Sequence, residues 1–309
     1  MIQDKIVVQA DSRYPLNGIL TLPEERFWPC PAVVLVHGSG SSNMDEKVQK
    51  LTPFKDLAEG LAQRGIASVR YDKRSYAHGV KMVRSKEIIT VQEETIDDAV
   101  SAVELLKKDK RIDRTQLFVL GHSMGGMLAP RIDAQTEGLK GLIVMAGSPR
   151  MLHEIMLDQF DEMMEKSNAL TKYFLKKQVQ KLQDIFSKLD QMTDEQAKKI
   201  SMGGGTTAYY FKEMCKHPTE VLLKQLEKPV CILQGKDDFQ VSVSKDYDAY
   251  QRIFAGKQNA EFKLYDDLNH CFVKSMSNDI SKAKKEYNVE RHIPEVVLDD
   301  LAVWLKKVQ

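Results

Sequence analysis

Short, nearly continuous apolar runs recur along the chain, and stretches of helical apolar spacing separate them. The segments 32–36, 67–71, 117–120, 142–145 and 230–233 are rich in β-branched residues and scarcely alternate. That pattern predicts strands buried on both faces of a parallel sheet. Between them, 49–64, 92–109, 124–136, 242–255 and 291–307 carry the spacing of amphipathic helices. Alternating strands and helices predict an α/β fold with a doubly wound sheet. Segments 6–9 and 18–22 come first with no helix between them, which predicts an antiparallel start to that sheet.

The rhythm breaks once. From 149 to 228 no convincing strand is visible, only helical segments, one of them opened by a capping box at Thr193-Asp194-Glu195-Gln196. Gly203-Gly204-Gly205 reads as a hinge-like break before Tyr209-Tyr210-Phe211. The expectation is a core built from 1–148 and 229–309, with 149–228 inserted as a helical cap. Seven of the 14 methionines (Met151, Met156, Met163, Met164, Met192, Met202 and Met214) fall in that insertion. They read either as ordinary helix packing or as a deformable apolar ceiling over a pocket.

Composition narrows the function. Lys plus Arg number 45 and Asp plus Glu 44, a formal net charge of +1 over 309 residues. No polyelectrolyte field is on offer, which argues against nucleic acid as a partner. No apolar run approaches the roughly 18 residues of a membrane span, and no membrane partner is expected. Cys30, Cys215, Cys231 and Cys271 are widely spaced without a C-x-x-C, so reduced structural thiols are expected rather than disulfides or zinc. His153-Glu154 lacks a second histidine at helical spacing, and no metal site is expected. Residues 1–5 show no leader pattern, and the expected location is cytoplasmic.

Gly121-His122-Ser123-Met124-Gly125-Gly126 is the most informative run. At this chain's glycine and serine frequencies about 0.05 chance matches to G-x-S-x-G are expected. The run directly follows the strand at 117–120 and opens the helix at 124–136, the strand–turn–helix setting of a nucleophile elbow. Side chains at 121 and 125 would collide in so tight a turn. The elbow also sets Ser123 Oγ at a helix N-terminus, where the dipole favours developing negative charge. Ser123 is the candidate nucleophile.

With this motif the chain resembles the α/β-hydrolase superfamily, in particular its bacterial serine carboxylesterase branch of cinnamoyl-esterase-like and serine-aminopeptidase-like hydrolases. The resemblance implies an eight-stranded, mostly parallel sheet and a triad in the order serine, acid, histidine. Gly235-Lys236-Asp237-Asp238-Phe239-Gln240-Val241 is similar to the family's G-x-x-D-x-x-V acid loop, which implies Asp238, with Asp237 its immediate competitor. Of seven histidines, His270 follows the last expected strand, 261–265, and lies downstream of the acid, matching the family's terminal histidine loop. His292 reads as a surface residue, His153 and His217 belong to the insertion, His78 to a polar loop, and His122 to the elbow itself.

His37-Gly38-Ser39-Gly40 resembles the family's oxyanion loop, implying backbone N–H donors at Ser39 and Met124, with His37 supporting the loop. Arg70-Tyr71-Asp72-Lys73-Arg74 resembles a segment common in such esterases. Its expected role is structural, with a substrate-binding role for Arg74 as the alternative. Tyr209, Tyr210 and Phe211 sit where relatives bring aromatic residues onto the substrate. The implied function is cleavage of small to medium acyl or aryl esters through an acyl-enzyme, with a small-molecule ester as partner and no cofactor. Feruloyl esterase, aminopeptidase, thioesterase and acyltransferase share the site, and the reading leaves room for a homodimer. A non-catalytic binding protein is the rival from outside the enzymes.

Overall fold

The computed structural model describes residues 1–308. Strands β1 (Ile2–Val8), β2 (Leu16–Leu22), β3 (Cys30–Val36), β4 (Ala67–Tyr71), β5 (Ile112–His122) and β6 (Leu139–Met145) occupy the first half. A small ribbon, β7 (Ser201–Gly203) with β8 (Thr206–Thr207), precedes β9 (Val230–Gly235) and β10 (Ala260–Tyr265). The main sheet runs β1-β2-β4-β3-β5-β6-β9-β10. β2 is antiparallel to both its neighbours and every later pairing is parallel. This is the mostly parallel sheet with an antiparallel start that the apolar pattern predicts, and its eight strands are the number that the resemblance implies.

Helices α1 (Pro53–Gln63), α2 (Arg74–Ser85), α3 (Asp97–Lys108) and α4 (Met124–Ala134) connect the first six strands. Between β6 and β9 lie α5 (Leu152–Glu165), α6 (Ala169–Phe186), α7 (Asp194–Lys199), α8 (Ala208–Cys215) and α9 (Thr219–Gln225). The chain ends with α10 (Asp248–Ile253), α11 (Ala283–Tyr287) and α12 (Glu295–Lys307).

Strand side chains alternate between two cores. Val33, Leu35, Phe118 and Leu120 pack under α1 and α12, against Phe54, Leu57, Leu301 and Trp304. Val34, Val36, Leu117 and Val119 face the other way, into α3, α4 and helices of the inserted segment. Burial on both faces is why these strands read as continuous apolar runs rather than as alternation.

Three features depart from the sequence reading. β1 starts at Ile2, earlier than the 6–9 expected. It is an edge strand whose alternately exposed residues dilute the signal. The stretch containing His78, expected to be a loop, is α2, which buries only Arg74 and Met82 and leaves its apolar positions at helical spacing, Tyr76, Val80 and Val83, exposed. The insertion is not purely helical: Gly203, Gly204 and Gly205, all at positive φ, close the β7–β8 hairpin rather than marking a hinge between helices. The capping box at Thr193 is present, with Gln196 Oε1 accepting from the Thr193 N–H at 2.7 Å.

Helix α8 buries more residues than any other helix of the insertion: Ala208, Tyr210, Phe211, Glu213 and Met214. Both oxygens of Glu213 accept from the Arg131 guanidinium of α4, Nη1 to Oε2 at 3.0 Å. Arg131 Nη2 also donates to Gln92 Oε1 at 2.9 Å. Removing one partner of a buried pair leaves the other charge uncompensated. Glu213→Ala should therefore lower stability by about 3–5 kcal/mol in urea unfolding. A loss below about 1 kcal/mol, the size of an exposed ion pair, would contradict this account of the docking.

Candidate active site

β5 ends at His122 and α4 begins at Met124, so Ser123 alone turns the chain, at φ 54° and ψ −119°. A non-glycine residue held there costs about 1–3 kcal/mol and persists only where its surroundings over-determine it. The Ser123 N–H donates to Met145 O at 2.9 Å across the sheet. A Cβ on Gly121 would stand 2.1 Å from Gly125 O, and one on Gly125 would stand 2.2 Å from Val36 O. The two glycines are thus needed for different reasons. Gly121 makes room for the returning helix, and Gly125 lets the end of β3 lie against it. The same closeness sets the loop after β3 beside the serine: a Cβ on Gly38 would be 3.1 Å from Ser123 Cβ.

Asp238 and His270 come together from the loops after β9 and β10, His270 Nδ1 lying 2.8 Å from Asp238 Oδ2. The same Oδ2 accepts from Gln234 Nε2 at 2.9 Å, and Oδ1 accepts from the N–H groups of Gln240 (2.7 Å) and Val241 (2.9 Å). Four donors leave this buried carboxylate little rotational freedom. Asp237, half-buried, contributes its N–H to Leu268 O at 3.0 Å and so ties the two loops at the backbone. With Nδ1 engaged, Nε2 is the imidazole nitrogen left for proton transfer.

The loop after β3 is held by charges that sequence reasoning missed. Gly38 N–H donates to Glu46 Oε1 at 2.8 Å, and Gly38 O accepts from Lys73 Nζ at 2.8 Å. Glu46 Oε2 lies 2.9 Å from His122 Nδ1, while His122 Nε2 lies 2.8 Å from the backbone oxygen of His270. Burial opposes charge on His122, but the Glu46 carboxylate outweighs it and raises the imidazole above the usual histidine range. Glu46 answers in kind: burial would raise its pKa, yet His122 holds it below the ordinary value. Burial pushes the Lys73 ammonium below the ordinary lysine range, against the pull of Glu94 and Glu46. His37 is buried with Nε2 3.0 Å from Asn43 O, and burial drives its pKa down to about 4. Lys73 stood inside a segment singled out in the sequence, whereas Glu46 lies in a polar loop that offers no signal.

A cavity of about 660 Å³ opens over Ser123. Ser39 and Met124 line it, as do Met82, Met127, Leu152, Ile155, Met156 and Phe211. Of the seven methionines in 149–228, Met156 alone reaches this lining, the other thioethers there coming from α2 and α4. Tyr210 lines the cavity too, donating to Glu94 Oε2 at 2.8 Å, with its hydroxyl 3.6 Å from Met124 Sδ.

The remaining candidates lie elsewhere. Tyr209 is outside the lining, its ring flanked by the Lys198 and Lys216 ammonium groups, each 5.1 Å from the centroid. Arg74 is also outside it, paired with buried Asp98 through Nε at 3.1 Å and Nη2 at 2.5 Å. That is a structural placement, and it removes the geometric basis for Arg74 as a substrate contact. Asp72 Oδ1 accepts from the Met44 N–H at 2.8 Å, tying loops as expected. His292 is exposed beside Asp56, and His78 Nε2 meets Pro15 O at 2.7 Å. Cys30, Cys231 and Cys271 are buried, free thiols whose pKa values burial pushes up. Among the described residues no His, Cys, Asp and Glu cluster is arranged to hold a metal ion, and no helix is long and apolar enough to cross a membrane.

The chain belongs to the serine aminopeptidase S33 family, whose model matches residues 29–275. Esterase EstD of Thermotoga maritima is 33% identical over 292 residues, 94% of this chain, which spans 66% of that relative's length. Est1E from Butyrivibrio proteoclasticus has a similar fold, with TM-score 0.56 and 16% identity over 96% of this chain and 99% of that one. The esterase domain of a Rhodothermus marinus protein superposes with TM-score 0.59 and 13% identity over the whole of both chains. The fold is that of the α/β-hydrolases.

His37 gives the site a pH signature in stability. Its folded pKa, about 4, lies below the unfolded value near 6.5. Above pH 6.5 it costs nothing. As pH falls from 6.5 towards 4, the unfolded state takes up a proton that the folded state refuses, and stability drops. His122 acts in the opposite sense: its raised pKa contributes stability that is complete below pH 6.5 and lost at higher pH. Replacing His37 by Gln keeps a donor for Asn43 O but removes the titration. Between pH 6.5 and 5 the wild type should lose about 1.5 kcal/mol more than His37→Gln in urea unfolding. Parallel curves would show that His37 can be protonated in place.

Proposed function

We propose that the chain is a serine carboxylesterase for esters with small to medium acyl or aryl groups. Ser123 is its nucleophile, His270 its general base and Asp238 the carboxylate that holds the imidazole tautomer. The observation that carries this reading is the 2.8 Å Asp238–His270 pair, brought by two loops to the sheet edge where Ser123 is presented in its strained turn. The sequence likeness to an esterase over 94% of the chain supports ester chemistry.

Ser123 Oγ attacks the ester carbonyl as His270 Nε2 takes its proton. The carbonyl oxygen becomes an oxyanion that the N–H groups of Ser39 and Met124 receive. Met124 N–H is free of an intrahelical partner because it opens α4. His270 returns the proton to the leaving alcohol, and water repeats the sequence on the acyl-enzyme, regenerating Ser123. Helices of 149–228 form the cap and, with α2, set the acyl or aryl room. Tyr210 is one of several polar groups in the chamber, which Ser75, Ser148, Gln159 and Gln240 also line.

The geometry favours esters over peptides bearing a free amino terminus. A peptidase of that kind needs an available carboxylate in the pocket. The cavity's two carboxylates are both engaged, Glu87 by Arg13 and Tyr14, Glu94 by Tyr210 and Lys73.

Initial rates on p-nitrophenyl esters from acetate to dodecanoate, and on methyl ferulate, test the reading. Ser123→Ala should reduce turnover by on the order of 10⁴-fold or more and abolish fluorophosphonate labelling. Retained activity in that variant would remove Ser123 from the mechanism. Asp238→Asn should cost on the order of 10³–10⁴-fold, because it supports the wrong imidazole tautomer. Asp237→Asn should cost far less, and the reverse order would exchange the two roles.

A further inference from the structure

The Gly38–Ser39 peptide is the part of the site with the most unusual surroundings. Its carbonyl oxygen accepts from the Lys73 ammonium at 2.8 Å, and Lys73, 1% exposed, is among the largest fully buried side chains. The Lys73 backbone N–H donates to Ser42 O at 3.0 Å, so one residue grips the loop at two points. Behind the ammonium stands Glu94, with Oε1 3.7 Å away and Oε2 accepting from Tyr210 at 2.8 Å. On the other side of Gly38, its N–H is anchored to Glu46 Oε1 at 2.8 Å.

A trans peptide is planar, and its C=O and N–H point in opposite directions. Anchoring Gly38 O on Lys73 therefore fixes where the Ser39 N–H points, away from the ammonium, and Ser39 is among the residues lining the cavity. The effect is also electronic. A cation on the carbonyl oxygen polarises the amide and strengthens the N–H as a donor, the cooperative effect of linked hydrogen bonds in a low-dielectric setting. A neutral side chain could hold the loop at far lower desolvation cost. A buried ammonium is expensive unless its charge is used.

We infer that Lys73 is a positioning residue for ester hydrolysis, its buried charge acting through the Gly38–Ser39 peptide on the oxyanion that forms at the Ser39 N–H. Glu94 holds that charge in place, and Tyr210 links it to the cap. The inference rests on the reading of the chain as a serine esterase with Ser39 as an oxyanion donor. It locates the benefit in the transition state, since the ester carbonyl bears far less charge than the oxyanion.

Lys73→Met keeps length and bulk and removes the charge. On a p-nitrophenyl ester, kcat should fall by about 10-fold or more while KM stays within about twofold. The wild type itself carries a second readout, needed if that variant fails to fold. Lys73 faces Glu94, Glu46, Asp98 and His37, and its pKa lies below the ordinary lysine range. Wild-type kcat should therefore fall reversibly at alkaline pH, before pH 10.5, and Lys73→Met should lack that limb. An unchanged kcat in a folded Lys73→Met protein, or a wild-type kcat flat to pH 10.5, overturns the inference and leaves the esterase reading standing. Absence of both ester turnover and Ser123 labelling in the wild type overturns the two together.

Discussion

The site depends on one close approach of backbone to backbone. The end of β3 lies so near the first turn of α4 that a Cβ on Gly125 would sit 2.2 Å from Val36 O. This contact presses the loop that follows β3 against Ser123 and obliges the chain to turn through a single residue at φ 54°. A looser approach would relax the serine into an ordinary conformation, and would also carry Gly38 away from it. Strain at Ser123 and nearness of the Gly38 loop are therefore two consequences of the same packing. The rigidity comes from the sheet, where β5 is flanked by parallel neighbours on both sides and buried on both faces.

Around that contact the protein places charge where a core would ordinarily exclude it. His122, Glu46, Lys73 and Glu94 form a series of buried titratable groups whose members touch the Gly38 peptide, the elbow, the His270 backbone and α8. Each ion costs several kcal/mol to desolvate, and the attraction between them returns that only when the geometry is good. A hydrophobic filling would be at least as stable. What such a filling lacks is direction: charged donors and acceptors fix the orientation of the peptide groups they hold. The series spans the loop after β3, the elbow and the loop after β10, so the three parts of the proposed machinery are positioned relative to one another rather than each to the core.

The legibility of the sequence followed the range of the signal. Strands buried on both faces wrote themselves as apolar runs, and the elbow as glycines at fixed offsets, since both are local requirements. Asp238 and His270 were reached through their order along the chain and their places after strands, and the structure sets them 2.8 Å apart. Elsewhere the local pattern and the burial disagree. α2 spaces Tyr76, Val80 and Val83 as a helix does, yet it exposes them and buries Met82 and an arginine paired with Asp98. Glu46 carries no signal in the sequence, and Lys73 none beyond the structural role of its segment, because nothing adjacent discloses their burial. Only assembly of β3, β4 and β5 side by side makes them neighbours.

Tyr209 and Tyr210 show how far a local reading can go at the cap. Consecutive positions on a helix point about 100° apart, so a cavity on one side of α8 takes Tyr210 and Phe211 and leaves Tyr209 out. In α8 Tyr210 is buried and reaches Glu94, while Tyr209 stands between two lysines. Helix α8 is held in this rotation by Glu213, three residues on from Tyr210 and so on the same face, paired with Arg131 of α4. The helix that brings Tyr210 to the cavity is thus oriented by an ion pair to the very helix whose N-terminus receives the proposed oxyanion. Any displacement of α8 would shift Tyr210 from Glu94 and alter the surroundings of the Lys73 charge. One tyrosine thus connects the lining of the chamber to the carboxylate that faces Lys73.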